Sequence, residues 1–143
     1  MIPPHAYVPG RTPRHDEAMF ADVRSTVRRG MTEEDLAVSA AWSTGLDLYD
    51  QGFFWECHEV LEAVWMAAHQ NSRARFVAQA VIQLANARLK LAMGRVNAAR
   101  RLADIAAAHL AEARLDRDPV MGLTPDWLRG EVSAVRHAAR GAL

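Results

Sequence analysis

The chain has 143 residues, half of them apolar, which suits one ordinary domain with a buried core and leaves little room for two. Seventeen basic and seventeen acidic side chains cancel, so no net field draws the molecule to nucleic acid or to an anionic membrane. The single cysteine, Cys57, excludes an intramolecular disulfide framework and any zinc site built on several thiolates. With no uninterrupted apolar run of about 18 residues and no signal-like N-terminus, the expectation is a cytoplasmic protein.

Residues 1–15 carry Pro3, Pro4, Pro9 and Pro13 together with Gly10. Proline fixes its own backbone and pushes its neighbour toward extended geometry, so this stretch reads as an extended arm. Residues 16–143 read as a single all-helical domain. Asp16 is placed to cap a first helix running to Arg29 and stopped at Gly30. Thr32, followed by Glu33, Glu34 and Asp35, opens a second helix that is expected to reach Asp50, because a hydroxyl and acids answer the unpaired amides of a first turn. A third helix covers Phe54 to His69, and Asn71-Ser72 breaks it and caps the next.

The fourth helix, Arg73 to Met93, is apolar almost all round, the mark of a central buried helix. A fifth, rich in alanine, runs from Asn97 to Arg114. After Pro119 and Gly122, Thr124 caps a last helix with Pro125 at its favoured first position. No segment alternates with the period of a strand. The expected fold is all-α: antiparallel helical hairpins packed around the central fourth helix, with the N-terminal arm outside.

Two polar stripes interrupt this apolar pattern. At about 100° per residue the third helix puts Trp55, His58, Glu62, Trp65 and His69 within an arc of about 80°, beside the apolar face of Cys57, Leu61, Val64 and Ala68. On the fourth helix Gln79, Gln83, Asn86 and Lys90 recur at spacings of four, three and four. Folding the hairpin at Gln70-Asn71 pairs positions whose numbers sum to about 141. Glu62 then faces Gln79, His58 faces Gln83, Trp65 lies near Phe76 and Trp55 near Asn86. Glu59 flanks this cluster on a more exposed side. An imidazole one turn from a carboxylate, with indoles beside both, suits either a hydrogen-bond network that sets helix register or an acid–base site.

Other chemistry finds less support. His58-Glu59-Val60-Leu61-Glu62 lacks the second histidine of the zinc-protease pattern, and neither helix offers a glutamate three residues before a histidine as a dinuclear carboxylate site requires. No metal and no cofactor is therefore expected. Phosphate-cradling loops, nucleophile elbows and dinucleotide fingerprints are absent. Arg11, Arg14 and His15 in the arm could clasp a phosphate or carboxylate, or merely pack over the helices. The alanine-rich fifth helix, with Trp42 and Trp127 taken as exposed aromatics, could form a homodimer or partner surface.

The segment from Tyr49 through Gly52-Phe53-Phe54, the run His58-Glu59-Val60-Leu61-Glu62-Ala63-Val64-Trp65, and Gln79 to Ala85 resemble the signature of the bacterial and archaeal family known as domain of unknown function 309. The arm from Tyr7 to Pro13 is similar to the stretch preceding the helices in some members, so the resemblance extends from the arm to about Leu110. It implies an all-helical fold with His58, Glu59, Glu62, Trp65, Gln79 and Gln83 at motif positions, and it brings no activity. Asp50 stands where members commonly have asparagine.

Two functional readings remain open. One is a module binding a small polar ligand or a protein, with a buried His/Glu/Gln cluster of Trp55, His58, Glu59, Glu62, Trp65, Gln79 and Gln83, joined by Arg11 from the arm, that either organises the fold or receives the ligand. The other is a small hydrolase- or lyase-like enzyme with His58 as general base and Glu62 as its orienter. Solvent access to His58 and Glu62 discriminates between them.

Overall fold

A computed structural model of the chain describes residues 2–16 and 18–141. Seven helices are present among these residues: α1 (Ala21–Arg24), α2 (Glu33–Ala37), α3 (Ala40–Asp50), α4 (Phe54–Ala67), α5 (Arg73–Ala92), α6 (Val96–Ala113) and α7 (Pro125–Gly141). No strand occurs among them, only an isolated bridge between Val120 and Leu123. The protein is all-helical. Each of the helices from α3 to α7 packs on its successor, and α5 also touches α7, while α1 lies on α3 and α4. Because the connections from α3 to α6 are short, successive helices form antiparallel hairpins.

Two of these connections close by the same device. At the end of α3 the amide of Phe53 donates to Leu48 O and that of Gly52 to Tyr49 O; after α5 the amide of Arg95 donates to Lys90 O and that of Gly94 to Leu91 O. These paired bonds satisfy the last carbonyls, and they require a left-handed residue just past the helix. Gly52 (φ 85°) and Gly94 (φ 76°) supply it. The N-termini are capped by side chains: Ser72 Oγ accepts the Arg75 amide, and Thr124 Oγ1 accepts the Trp127 amide. Both caps stand where the spacing places them.

The first two helices differ from expectation. The helix expected from Asp16 to Arg29 shrinks to α1; its start at Glu17 falls outside the described residues. Ser25 and Thr26 end α1 by donating their hydroxyls to the carbonyls of Asp22 and Val23, a local competition that hydroxyl residues offer any helix. The helix expected from Thr32 to Asp50 breaks into α2 and α3, because Ser39 starts anew. Its Oγ donates to Leu36 O and accepts the Trp42 amide, while the Ala41 amide donates to Thr26 Oγ1.

Trp42 also departs from expectation. It is not an exposed aromatic: only 2% accessible, it lies in the core and donates Nε1–H to Met121 O at 2.7 Å. The acceptor sits 79 residues along the chain, in the turn before α7, which no local pattern announces. The core is otherwise built from the inner faces of α3 to α7. Gly45 of α3 lets Leu61 of α4 approach so closely that a Cβ there would fall 2.1 Å from Leu61 Cδ2. That contact fixes how α4 sits, and α4 carries most of the polar residues of interest.

Candidate functional site: the outer face of α4

α4 buries Cys57, Val60, Leu61 and Val64, and the adjoining face carries the polar stripe. His58 Nε2 lies 3.2 Å from Glu62 Oε2, one turn away, and His58 Nδ1 lies 3.9 Å from Glu59 Oε1. Glu59 Oε2 is in turn 3.7 Å from Nη1 of Arg24 in α1, which donates to the Glu59 backbone carbonyl at 2.5 Å. Cation, carboxylate, imidazole and carboxylate thus form one chain across the helix surface. The side chains of His58 and Glu62 keep 27% and 40% of their exposure, so the pair is half-buried rather than sealed.

Trp65 lies one turn further, and the Arg75 guanidinium stacks over its ring at 4.6 Å. This contact joins α4 to the start of α5 at the end of the hairpin, one residue from the Phe76 that the reflection places there. Arg75 also donates to Ala68 O at 3.1 Å. Gln79 and Gln83 are half-buried further along α5, but neither hydrogen-bonds to Glu62 or His58. Among the described residues, three sealed polar side-chain atoms have no partner: His58 Nδ1, Trp65 Nε1 and Glu56 Oε1. Buried groups of this kind are rare and costly.

Trp55 sits at the start of α4 beneath the arm. Tyr7 meets its ring edge-on at 5.0 Å. Arg11 is not part of the His58 chain: it is exposed, with its guanidinium against Gly94 at the far end of α5.

Two polar clusters have no counterpart in the sequence patterns. The first is centred on Glu56, whose carboxylate is fully buried and accepts the Tyr7 amide and His15 Nε2–H, each at 2.6 Å. His15 is itself 2% exposed. Counting angle around α4 sets Glu56 on the flank of the apolar face, opposite the His58 stripe; that position is the one signal that could have exposed it. The second links three helices: Tyr49 donates its hydroxyl to Glu131 Oε1 at 2.6 Å, and Arg88 donates Nε–H to the Tyr49 oxygen and Nη2–H to Glu131, each at 2.9 Å. Burial and the bond to Glu131 push the Tyr49 phenol far above its ordinary range. Among the described residues no group of three or more His, Cys, Asp or Glu side chains is arranged to hold a metal.

The helix that carries this chain of groups also carries a family signature. Residues 42–102 match the family described as a domain of unknown function (DUF309). The matched span runs from Trp42 to Leu102, so it takes in α4, α5 and every residue of the His58 stripe, together with Glu56, Tyr49 and Arg88. It is narrower than the resemblance, which reaches back to Tyr7: the arm with His15, and α7 with Glu131, lie outside the DUF309 match. Neither the curated proteins nor the solved structures include a match to this chain. The DUF309 match carries no activity, and the chemistry has to be argued from the side chains.

Proposed function

We propose that this chain is a binding module for a small polar ligand, received on the outer face of α4 beside α5. The observation that supports this reading is the exposure of the His58–Glu62 pair combined with unspent hydrogen-bonding capacity around it. The side chains of His58 and Glu62 keep 27% and 40% of their exposure, and the half-buried Gln79 and Gln83 of α5 make no hydrogen bond to the pair. A network whose task was to lock helix register would close on itself, since half-satisfied buried networks are less stable than apolar packing. Donors and acceptors left accessible on a helix surface are available for recognition instead.

The same geometry argues against His58 as a general base. Glu62 Oε2 stands 3.2 Å from Nε2, on the side of the ring open to solvent, and the other ring nitrogen, Nδ1, is sealed. A base must reach the proton it removes. Binding therefore accounts for the pair better than catalysis does.

The test is a titration of the full chain with a panel of small amides, carboxylates and amines, following the His58 ring and Trp65 indole resonances by heteronuclear NMR. Saturable shifts that vanish in both His58→Ala and Glu62→Ala are expected. No shift from any class, or shifts indifferent to both substitutions, would overturn the reading. Because the pair is half-exposed, His58→Ala is expected to cost less than about 1 kcal/mol of stability.

A further inference from the structure

Where α3 ends and α4 begins, the C-terminal half of α5 and the first two turns of α7 close around a cavity of about 400 Å³, a size typical of small-molecule sites. Three aromatic rings stand in its wall: Tyr49 of α3, Phe54 of α4 and Trp127 of α7. Its charged lining is two carboxylates, Asp50 and Glu131, and one guanidinium, Arg88. We propose that this cavity binds a small organic cation, an alkylated ammonium head group, received by the rings of Phe54 and Trp127 with the exposed Asp50 beside it.

The rings are set across one another rather than stacked. Phe54 meets Tyr49 with centroids 5.5 Å apart and planes at 75°, and Trp127 meets it at 5.8 Å and 68°. Tyr49 is therefore the corner of a box, with Phe54 and Trp127 as its sides. The corner is rigid: Tyr49 is buried, and its hydroxyl donates to Glu131 Oε1 and accepts Arg88 Nε–H. Burial also keeps the phenol protonated well above the ordinary tyrosine range. The Arg88 guanidinium already lies 5.8 Å over this ring, so Tyr49 has a cation of its own. Phe54 and Trp127 do not. Each makes a single ring contact among the described residues, which leaves at least one face of each uncovered by another ring, and both are half-buried rather than sealed. A ring face carries negative charge density and attracts a cation placed over it, more strongly where water is excluded.

The charges agree in sign with the rings. Arg88 gives Nη2–H to Glu131 Oε1 at 2.9 Å, so this guanidinium and this carboxylate cancel each other. Asp50 has no ion-pair partner among the described residues, and two carboxylates against one guanidinium leave the lining negative. An anion would meet Asp50 and the ring faces together, and an uncharged ligand would leave both unused. Alkyl groups on a nitrogen remove its N–H donors. The head group then gives up less hydration on entering, packs its carbon shell against the rings, and asks for no acceptor, which the rings do not offer. Such a head group belongs to a free molecule or to a methylated lysine side chain; the chemistry that recognises it is the same.

This site shares no residue with the His58 stripe, so its failure leaves that reading standing. The experiment is calorimetric titration of the full chain with choline, with the methylamide of N-acetyl-trimethyllysine, and with the uncharged alcohol in which a tert-butyl group replaces the trimethylammonium of choline. Saturable binding of at least one of the two cations is expected, the tighter one naming the free or the protein-borne source, with the alcohol at least about tenfold weaker. Trp127→Leu and Phe54→Leu keep apolar volume and remove a ring face, and each should weaken binding about tenfold, while Trp127→Phe recovers most of it. Asp50→Asn should weaken it about threefold at low ionic strength, a difference that shrinks as salt is added. Arg136→Ala, which breaks an ion pair with Asp104 on another face, should leave it unchanged. If a leucine variant fails to fold by circular dichroism, Asp50→Asn, at an exposed position, carries the test together with the alcohol. No binding of either cation, equal binding of the alcohol, or binding indifferent to the two rings or to Asp50 would each overturn the proposal.

Discussion

Replacing Gly45 by alanine sets two effects of opposite sign against each other. Gly45 lies mid-way along α3, where alanine improves helix propensity by about 1 kcal/mol. Its added Cβ, however, would fall 2.1 Å from Leu61 Cδ2 and 2.6 Å from Leu61 Cγ. Carbon atoms rest at about 3.5–4.0 Å, so α3 and α4 must separate or Leu61 must leave its rotamer. Leu61 is fully buried and has no solvent to turn into. Overpacking of this kind costs about 1–3 kcal/mol, and an overlap so deep belongs at the upper end. Setting about 3 against about 1, the net loss is about 2 kcal/mol, or about 6–8 °C in Tm for a domain of this size. Thermal and urea unfolding measure it directly. Leu61→Ala alone should cost about 2–5 kcal/mol, and the double variant at least about 1 kcal/mol less than the two costs combined, because the new methyl fills space the leucine vacates. A neutral or stabilising Gly45→Ala would refute the claim that this contact sets the seating of α4.

Trp42→Phe keeps the ring in the core but strands the Met121 carbonyl, and should cost about 1–3 kcal/mol in urea unfolding; a loss below about 0.5 kcal/mol would show that the bond ties nothing. Burial, reinforced by the charges of Asp50 and Glu56, pushes the Cys57 thiol well above its ordinary range. It should resist a thiol-specific reagent in the folded protein at neutral pH and react fully in denaturant; rapid labelling of the folded chain would contradict its burial. Burial also holds the His109 imidazole below its ordinary 6.5, against the opposing charge of Glu112. The unfolded chain therefore takes up this proton first. The stability that His109 contributes is complete above its ordinary value and declines as the pH falls through it. His109→Gln should flatten that part of the acid slope in urea midpoints measured between about pH 5 and pH 7.5, and an unchanged slope would assign the effect elsewhere.

The long helices were legible because each repeats its apolar spacing over several turns and closes with a side chain or glycine whose role is local: Ser72, Thr124, Gly52 and Gly94 act within a few residues of where they stand. The breaks around Ser25, Thr26 and Ser39 were not, since those hydroxyls divide their bonds between neighbouring backbone and a distant amide, and only the packed structure decides the division. The candidate site shows the same boundary. Spacing alone put His58 and Glu62 on one face and set Trp65 against the start of α5, because helix geometry determines both. It did not anticipate that His58 and Glu62 stay half-exposed, which depends on how the neighbouring helices and arm cover α4. Nor did it bring His15 to Glu56: the two are 41 residues apart, and the segment carrying the histidine has no periodicity from which to project a direction.

That last contact bears on the order in which the molecule can be made. The histidine leaves the ribosome well before the carboxylate that receives it, so the leading segment has nowhere to settle until α4 has been synthesised and has found its neighbours. Until then the acid that ends up most deeply enclosed stands in water. The arm thus takes its place only after the helix it covers, and it does so by closing over a carboxyl group that α4 itself leaves without a partner.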